Sequence, residues 1–409
     1  MKRDTLRGHD RVVFVTQAYT PGETLLGVTA DWVRALGTRF SGVDVIAQRA
    51  PGAPLLLPRA RTPLRVASMG KDRGLGRVGQ SAALVASIAR AARRASAIFV
   101  HMVPRYVLFA APVARLAGVP IILWYAHGTA DRTLRLAMPF VDRVVTPTRD
   151  SFPLAGPGVD GKVRVTGHGI DVMRHAPGGA VAEPGLVLSA GRLSPVKRHE
   201  LAIEAVNGGP EGSRLVIAGS PLHAGDVAYR DRLVSQSAFA RDPGEGASSE
   251  EASSYASPLR PLRPLPERPP RILRPLPRCD GRGAMNHSAR ISFVGDVAFE
   301  EMPATYRRAW VLAHASRTGS LDKVVLEAAA CGTPVVSSAP SSRAVLDAVP
   351  GLSVPDGDDE AFVARVREVL GWSAERREAA GRALRLAVVS GHSLDHWADR
   401  VASAIREVG

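Results

Sequence analysis

The chain has 409 residues, 45% hydrophobic but only 5% aromatic, so it is long enough for two ordinary domains whose cores must be largely aliphatic. No apolar run approaches the roughly eighteen residues of a membrane-spanning helix; the longest, near Val119–Trp124, is far too short. The net charge of +14 lies wholly in residues 1–180, which carry 25 Lys and Arg against 11 Asp and Glu, whereas the remainder carries 28 of each.

The positive excess is densest between Arg59 and Arg94, where Asp72 is the only acid. Arginine-biased composition, an anionic membrane surface or acceptor, and nucleic acid each account for such an excess. Nucleic acid is not expected, because no helix-turn-helix, RNA-binding or zinc-finger spacing is visible. The opening MKRDTLRGHD lacks the apolar stretch of a signal peptide, and Cys279 and Cys331 lie in unrelated contexts. Both observations point to a reduced, cytoplasmic protein without a disulfide.

In chain order, residues 12–16 (VVFVT) read as a strand, 25–36 as a helix and 43–48 as a second strand. Helices near 80–95 and 107–117 alternate with strands at 97–101, 120–125 and 142–147. Each strand is almost continuously apolar, as buried parallel strands are. A second series follows Pro184, with strands at 186–190, 214–220, 291–296, 310–315 and 334–338. The fold class is therefore α/β: two Rossmann-like doubly wound parallel-sheet domains in series, facing one cleft. The expected boundaries are 1–175 for an N-terminal Rossmann-like domain and 176–390 for a C-terminal one. Residues 391–409 form a last helix expected to return to the N-terminal domain.

Residues 241–288 interrupt this rhythm. They hold nine of the 31 prolines and an imperfect Pro-Leu-Arg repeat, a composition that cannot bury a core. A docking peptide for a proline-recognition domain and a tolerated surface insertion both fit.

Two motifs carry chemistry. In GRLSPVKRHELAIEAV (191–206) a strand runs into Gly191, and Arg192 and Lys197 bracket a Ser-Pro turn before a helix. Two cations at a strand end beside a helix start suit a diphosphate. In SRTGSLDKVVLEAAACGTPVVSS (316–338), Gly319 and Ser320 break the chain, a helix is predicted from near Leu321, and Gly332 can end it. Glu327 lies inside that helix, where an i,i+4 pair with Lys323 is the plain structural account. Asp356-Gly357-Asp358 resembles a metal signature but precedes an amphipathic helix, which makes it a turn and cap.

Together these motifs resemble the retaining glycosyltransferases of family four, which have the GT-B fold. The resemblance implies that Arg192 and Lys197 bind a donor diphosphate and that Glu327 holds the ribose hydroxyls. Gly191, Ser320, Leu321, Asp322 and Lys323 are implied around the donor. His127, in WYAHG, takes the place of a histidine that reaches the donor sugar, and Gly27 that of a glycine loop near phosphate and acceptor. The family's Asn-Gly-x-Asp hinge loop corresponds to Gly167–Asp171, in which His168 reads as structural. One departure stands out. The first glutamate of the family's Glu-x7-Glu pattern is Gly319 here, and the following Gly-Phe-Gly is Ser320-Leu321-Asp322. Asp322 is a candidate to replace the missing sugar contact.

The expected activity is transfer from a nucleoside-diphosphate sugar to a glycan, lipid-linked or small-molecule acceptor, with retention and with neither metal nor other cofactor. A nucleotide-sugar epimerase of the same fold and a non-catalytic nucleotide-sugar-binding protein are the alternatives. The basic N-terminal half adds the expectation of peripheral attachment to an anionic inner membrane face.

Overall fold

The computed structural model describes residues 10–20, 28–50, 64–238 and 290–409. The first unit comprises β1 (Arg11–Ala18), α1 (Val28–Gly37), β2 (Gly42–Arg49), β3 (Leu64–Ser68), α2 (Arg77–Ala92) and β4 (Ala95–His101). It continues with α3 (Pro104–Ala117), β5 (Ile121–Trp124), α4 (Arg132–Ala137), β6 (Arg143–Thr146) and β7 (Val163–Val165). Its strands form one parallel sheet in the order β3-β2-β1-β4-β5-β6-β7. Successive residues of β1 explain why the strand is apolar throughout. Val12 and Phe14 enter the core on one face of the sheet, Val13 and Val15 the core on the other.

The second unit comprises β8 (Leu186–Ala190), α5 (Glu200–Asn207), β9 (Arg214–Ala218), α6 (Ala224–Ala238), β10 (Ile291–Gly295) and α7 (Met302–Arg308). After these come β11 (Val311–His314), α8 (Lys323–Ala330), β12 (Val335–Ser337), α9 (Arg343–Leu346), α10 (Asp359–Leu370) and α11 (Ala374–His392). Its parallel sheet runs β10-β9-β8-β11-β12 around a single aliphatic core. In both sheets the order reverses beside the first strand, between β1 and β4 and between β8 and β11. The strand C-terminal ends at those two points are where an open α/β sheet receives its ligand.

The chain passes between the units twice. At the first passage Gly167 and Gly169 both have positive φ, 76° and 73°. A Cβ on Gly167 would lie 2.3 Å from the Gly391 carbonyl oxygen, and one on Gly169 would lie 2.8 Å from the Trp32 indole nitrogen, so only glycine fits either place. At the second passage Ile170 exchanges backbone hydrogen bonds with His392 and Leu394 at 2.8 Å each. The final helix α12 (Leu394–Arg406) then lays Trp397, Ala398, Val401 and Ile405 into the core containing Trp32 and Phe14 of the first unit. Arg174 ties the passage to both sides. Its guanidinium pairs with Asp31 of α1 and sits 4.8 Å from the centroid of Phe299, in the loop after β10.

Three details depart from the sequence reading. The edge strand β3 was not anticipated, because its residues are only partly buried and show no apolar run. The helix expected from Leu321 starts at Lys323, with Asp322 at the N-cap position and no side-chain cap from Gly319 or Ser320. In α2, within the basic stretch for which membrane attachment was expected, Leu84 and Ile88 are core residues, which leaves Arg90, Arg93 and Arg94 exposed without those apolar side chains beside them. The 241–288 segment lies outside the described residues.

Candidate active site

The site is built on the strand ends of the second sheet. β8 runs into Gly191 (φ 142°) and β9 into Gly219 (φ 139°). Any Cβ on Gly219 would fall 1.9 Å from the Gly191 carbonyl oxygen, so the two loops approach main chain to main chain. This flat glycine floor carries the turn that presents Arg192 and Lys197. His199 fixes the turn from behind: its Nε2 lies 3.1 Å from the Arg192 carbonyl oxygen and its Nδ1 2.8 Å from the Ser189 hydroxyl. Burial pushes its pKa down to about 4, so it serves as a neutral strut. Arg192 is partly exposed, with its Nε 3.3 Å from Ser194 Oγ and 3.9 Å from Asp226.

Lys197 reaches across the switch point. Its Nζ donates to Asp322 Oδ2 at 2.5 Å and to Ser316 Oγ at 3.3 Å. The same Asp322 oxygen lies 2.8 Å from Nε2 of His314, the last residue of β11. Burial alone would raise the Asp322 pKa, but Lys197 and His314 together hold it far below the usual carboxylate range. The carboxylate offered by the sequence as a sugar contact is thus already engaged by two basic side chains. Asp322, the candidate for the missing sugar contact, has one of its two oxygens, Oδ2, held by Lys197 and His314.

Glu327 is buried on α8, and its Oε2 accepts a hydrogen bond from the Tyr306 hydroxyl of α7 at 2.7 Å. Burial, then Glu327 itself, pushes Tyr306 well above the usual phenol range, so the phenol stays a donor and fixes the carboxylate. Lys323, one turn earlier, lies in the fields of Glu327, Asp322 and, from the first unit, Asp31; burial lowers its pKa. Its own field also acts on His101 and His168, both pushed to about 3 chiefly by burial, so Lys323 sits at the junction of the two units. His168 packs between Trp32 and Trp124, ring centroids 5.8 and 5.7 Å away.

From the first unit, His127 is exposed at the end of the β5 loop, with its ring 6.3 Å from that of Tyr125. The next residue touches the other side of the cleft directly. A Cβ on Gly128 would lie 2.8 Å from the Gly319 Cα and 2.9 Å from the Thr318 carbonyl oxygen. Behind this contact the buried Leu321 donates its N–H to Ser151 Oγ at 3.2 Å, beside the nearly buried Ser320. Arg192, Lys197, Gly191, Glu327 and the 320–323 segment therefore line one side of a junction, with His127 opposite. Gly27 lies outside the described residues. Asp358 caps α10 by accepting from the Ala361 N–H at 2.9 Å, as a turn-and-cap reading requires. Among the described residues no three His, Cys, Asp or Glu side chains converge as metal ligands.

Sequence reasoning missed His314, Tyr306 and Ser151. Of these only His314 left a usable signal, as a histidine ending an otherwise apolar strand at the second switch point.

Comparison with known proteins places this geometry. Residues 274–371 match the family described as Glycosyl transferases group 1. A D-inositol 3-phosphate glycosyltransferase of Geodermatophilus obscurus is 30% identical over 213 residues, which are 49% of this chain and only 39% of that relative's length. Among solved structures, HepE of Anabaena in complex with UDP-glucose superposes with a TM-score of 0.69 at 17% identity, covering 97% of this chain and 99% of that one. The sucrose-phosphate synthase of Thermosynechococcus elongatus gives 0.65 at 15% identity, covering 97% and 98%. The fold is that of the GT-B structures, and the match to the group 1 glycosyl transferase family falls in its second unit.

Proposed function

We propose that the protein is a retaining glycosyltransferase that moves a hexose from a nucleoside-diphosphate sugar to an acceptor without a metal. The observation that carries this reading is that Lys197, on the turn after β8, reaches Asp322 at the start of α8, the helix that carries the buried Glu327. A departing diphosphate gathers charge on its oxygens, and the cations Arg192 and Lys197 oppose that charge. Glu327, held by Tyr306, presents its second oxygen to the ribose hydroxyls. His127 overlooks the sugar from the opposite side, and the leaving phosphate assists deprotonation of the acceptor on the same face. The structural likeness to HepE in complex with UDP-glucose supports a nucleotide-sugar donor here.

Incubation with UDP-, GDP- and ADP-sugars is expected to release free nucleoside diphosphate from one of them. An epimerase would yield an isomeric sugar with little net release, and a binding protein would yield neither. Either result overturns the transferase reading.

We place the acceptor on the first unit and propose that it is lipid-linked. Arg90, Arg93 and Arg94 are exposed at one end of α2, and Leu75 and Val78 are exposed beside Arg73 and Arg77 at the other. No helix among the described residues is long and apolar enough to cross a membrane, so attachment would be peripheral, at a cytoplasmic face. Each basic residue near an anionic leaflet contributes about 1 kcal/mol. Salt-sensitive binding to anionic vesicles and none to neutral ones is expected, weakened by charge reversal at Arg90, Arg93 and Arg94 while donor hydrolysis in solution is spared. Equal binding to both vesicle types would dismiss the membrane.

A further inference from the structure

Asp322 Oδ2 is shared by Lys197 and His314, and the arrangement has a consequence for donor binding. Lys197 is the cation assigned to the donor diphosphate, yet its Nζ is only 2.5 Å from an anion supplied by the protein itself. A donor that draws Lys197 toward phosphate leaves Asp322 with His314 as its one remaining basic contact at hydrogen-bond distance, in a place where an uncompensated carboxylate is costly.

His314 is equipped to take the missing charge. In its neutral form Nε2–H donates to Asp322, and Nδ1 accepts from the Ser337 hydroxyl 2.8 Å away. Ser337 Oγ lies in turn 3.1 Å from Ser342 Oγ. When His314 is doubly protonated, Nδ1–H donates to Ser337, whose hydroxyl turns to donate to Ser342. Nδ1 thus keeps Ser337 as its partner in both states, and the Ser337 oxygen also accepts from the Ala339 N–H at 3.1 Å. The other charged or titratable groups around the pair are Lys197 and His199 on the side of α5, and Lys323 and Glu327 on α8. His199, pushed to about 4 by burial, stays neutral near pH 7. An arriving diphosphate adds negative charge to the same corner, which favours the same proton.

We infer that Asp322 acts as an internal counter-ion which the donor diphosphate displaces from Lys197, and that His314 takes up one proton from solvent as it does so. The inference rests on the donor-site reading above. His314 and Asp322 are positioning residues in it, acting through Lys197. The linkage has a definite sign. The proton is held more firmly with the donor bound than without it, so affinity is greatest at low pH and declines as pH rises.

The test is calorimetric titration of the 409-residue chain with UDP, GDP and ADP in HEPES and in Tris, between pH 7 and 8.5. That window lies above the ionisation of a terminal phosphate at about 6. Uptake approaching one proton per bound nucleotide is expected, with affinity weakening by up to about tenfold per pH unit. His314→Gln, checked for an unchanged melting profile, is expected to abolish both the uptake and the pH slope. Asp322→Asn supplies an independent variant: its slope also vanishes, and binding at pH 8.5 is at least as tight as in the parent. Nucleotide binding without uptake in the parent, or uptake that persists in His314→Gln, overturns the inference while leaving the donor site standing. Absence of binding by any of the three nucleotides overturns the donor site and the inference with it.

Discussion

Lys197→Ala is expected to lower nucleotide-sugar turnover by roughly ten- to a hundredfold or more, since it removes a charge-assisted phosphate contact of about 1.5–3 kcal/mol. It is also expected to destabilise the fold, because Asp322 then keeps a buried charge with only His314 beside it. Breaking one side of a buried ion pair costs about 3–5 kcal/mol, and the remaining histidine places this case near the lower end. The two effects separate in the double variant Lys197→Ala/Asp322→Asn. Removing the stranded charge restores most of the stability but none of the phosphate contact. Denaturant melts and nucleoside-diphosphate release on the same preparations check both. If turnover recovers along with stability, Lys197 is a structural cation and the diphosphate assignment falls. Arg192→Ala is the contrasting case. Its side chain is partly exposed and makes only a 3.3 Å bond to Ser194 and a long pair to Asp226, so turnover is expected to fall at least tenfold with little change in stability.

The contrast between Arg192 and Lys197 marks how far the sequence could be read. Both cations were legible, because a glycine at a strand end followed by two bases and a helix start is a local pattern. The two sheets were legible for a similar reason: strands covered on both faces are written as apolar runs, as β1 and β8 are. The edge strand β3 has no such run and was invisible. What no local pattern carries is the pairing of Lys197 with Asp322, 125 positions away, or of Glu327 with Tyr306. The first pair exists because the order β10-β9-β8-β11-β12 puts the loops after β8 and β11 side by side, the second because α7 and α8, on either side of β11 in the chain, pack together. Asp322 was therefore read as a spare carboxylate near the sugar, whereas the crossover places it on the lysine.

Gly319→Glu, which restores the acidic residue that the family-four pattern carries at this position, is expected to lower turnover rather than raise it. Gly319 has φ 72°, a left-handed conformation that costs a residue with a side chain about 1–2 kcal/mol. Its Cβ would stand 3.1 Å from the Gly128 Cα, closer than most real contacts, and the neighbour is main chain that cannot rotate aside. The 318–319 and 127–128 loops must then separate, which carries His127 away from the Lys197 side of the junction. A loss of tenfold or more in nucleoside-diphosphate release and a lower melting temperature are expected. Gly319→Ala reproduces the backbone strain without the carboxylate, so it is expected to lie between the parent and Gly319→Glu in both measurements. Should Gly319→Glu exceed the parent in turnover, the loops have room for the side chain, and the contact between Gly128 and Gly319 does not set the closed form of the cleft. Sterics favour the opposite result. Two glycines facing each other let the main chains of the two units meet, and a glutamate on either one fills the space through which they meet.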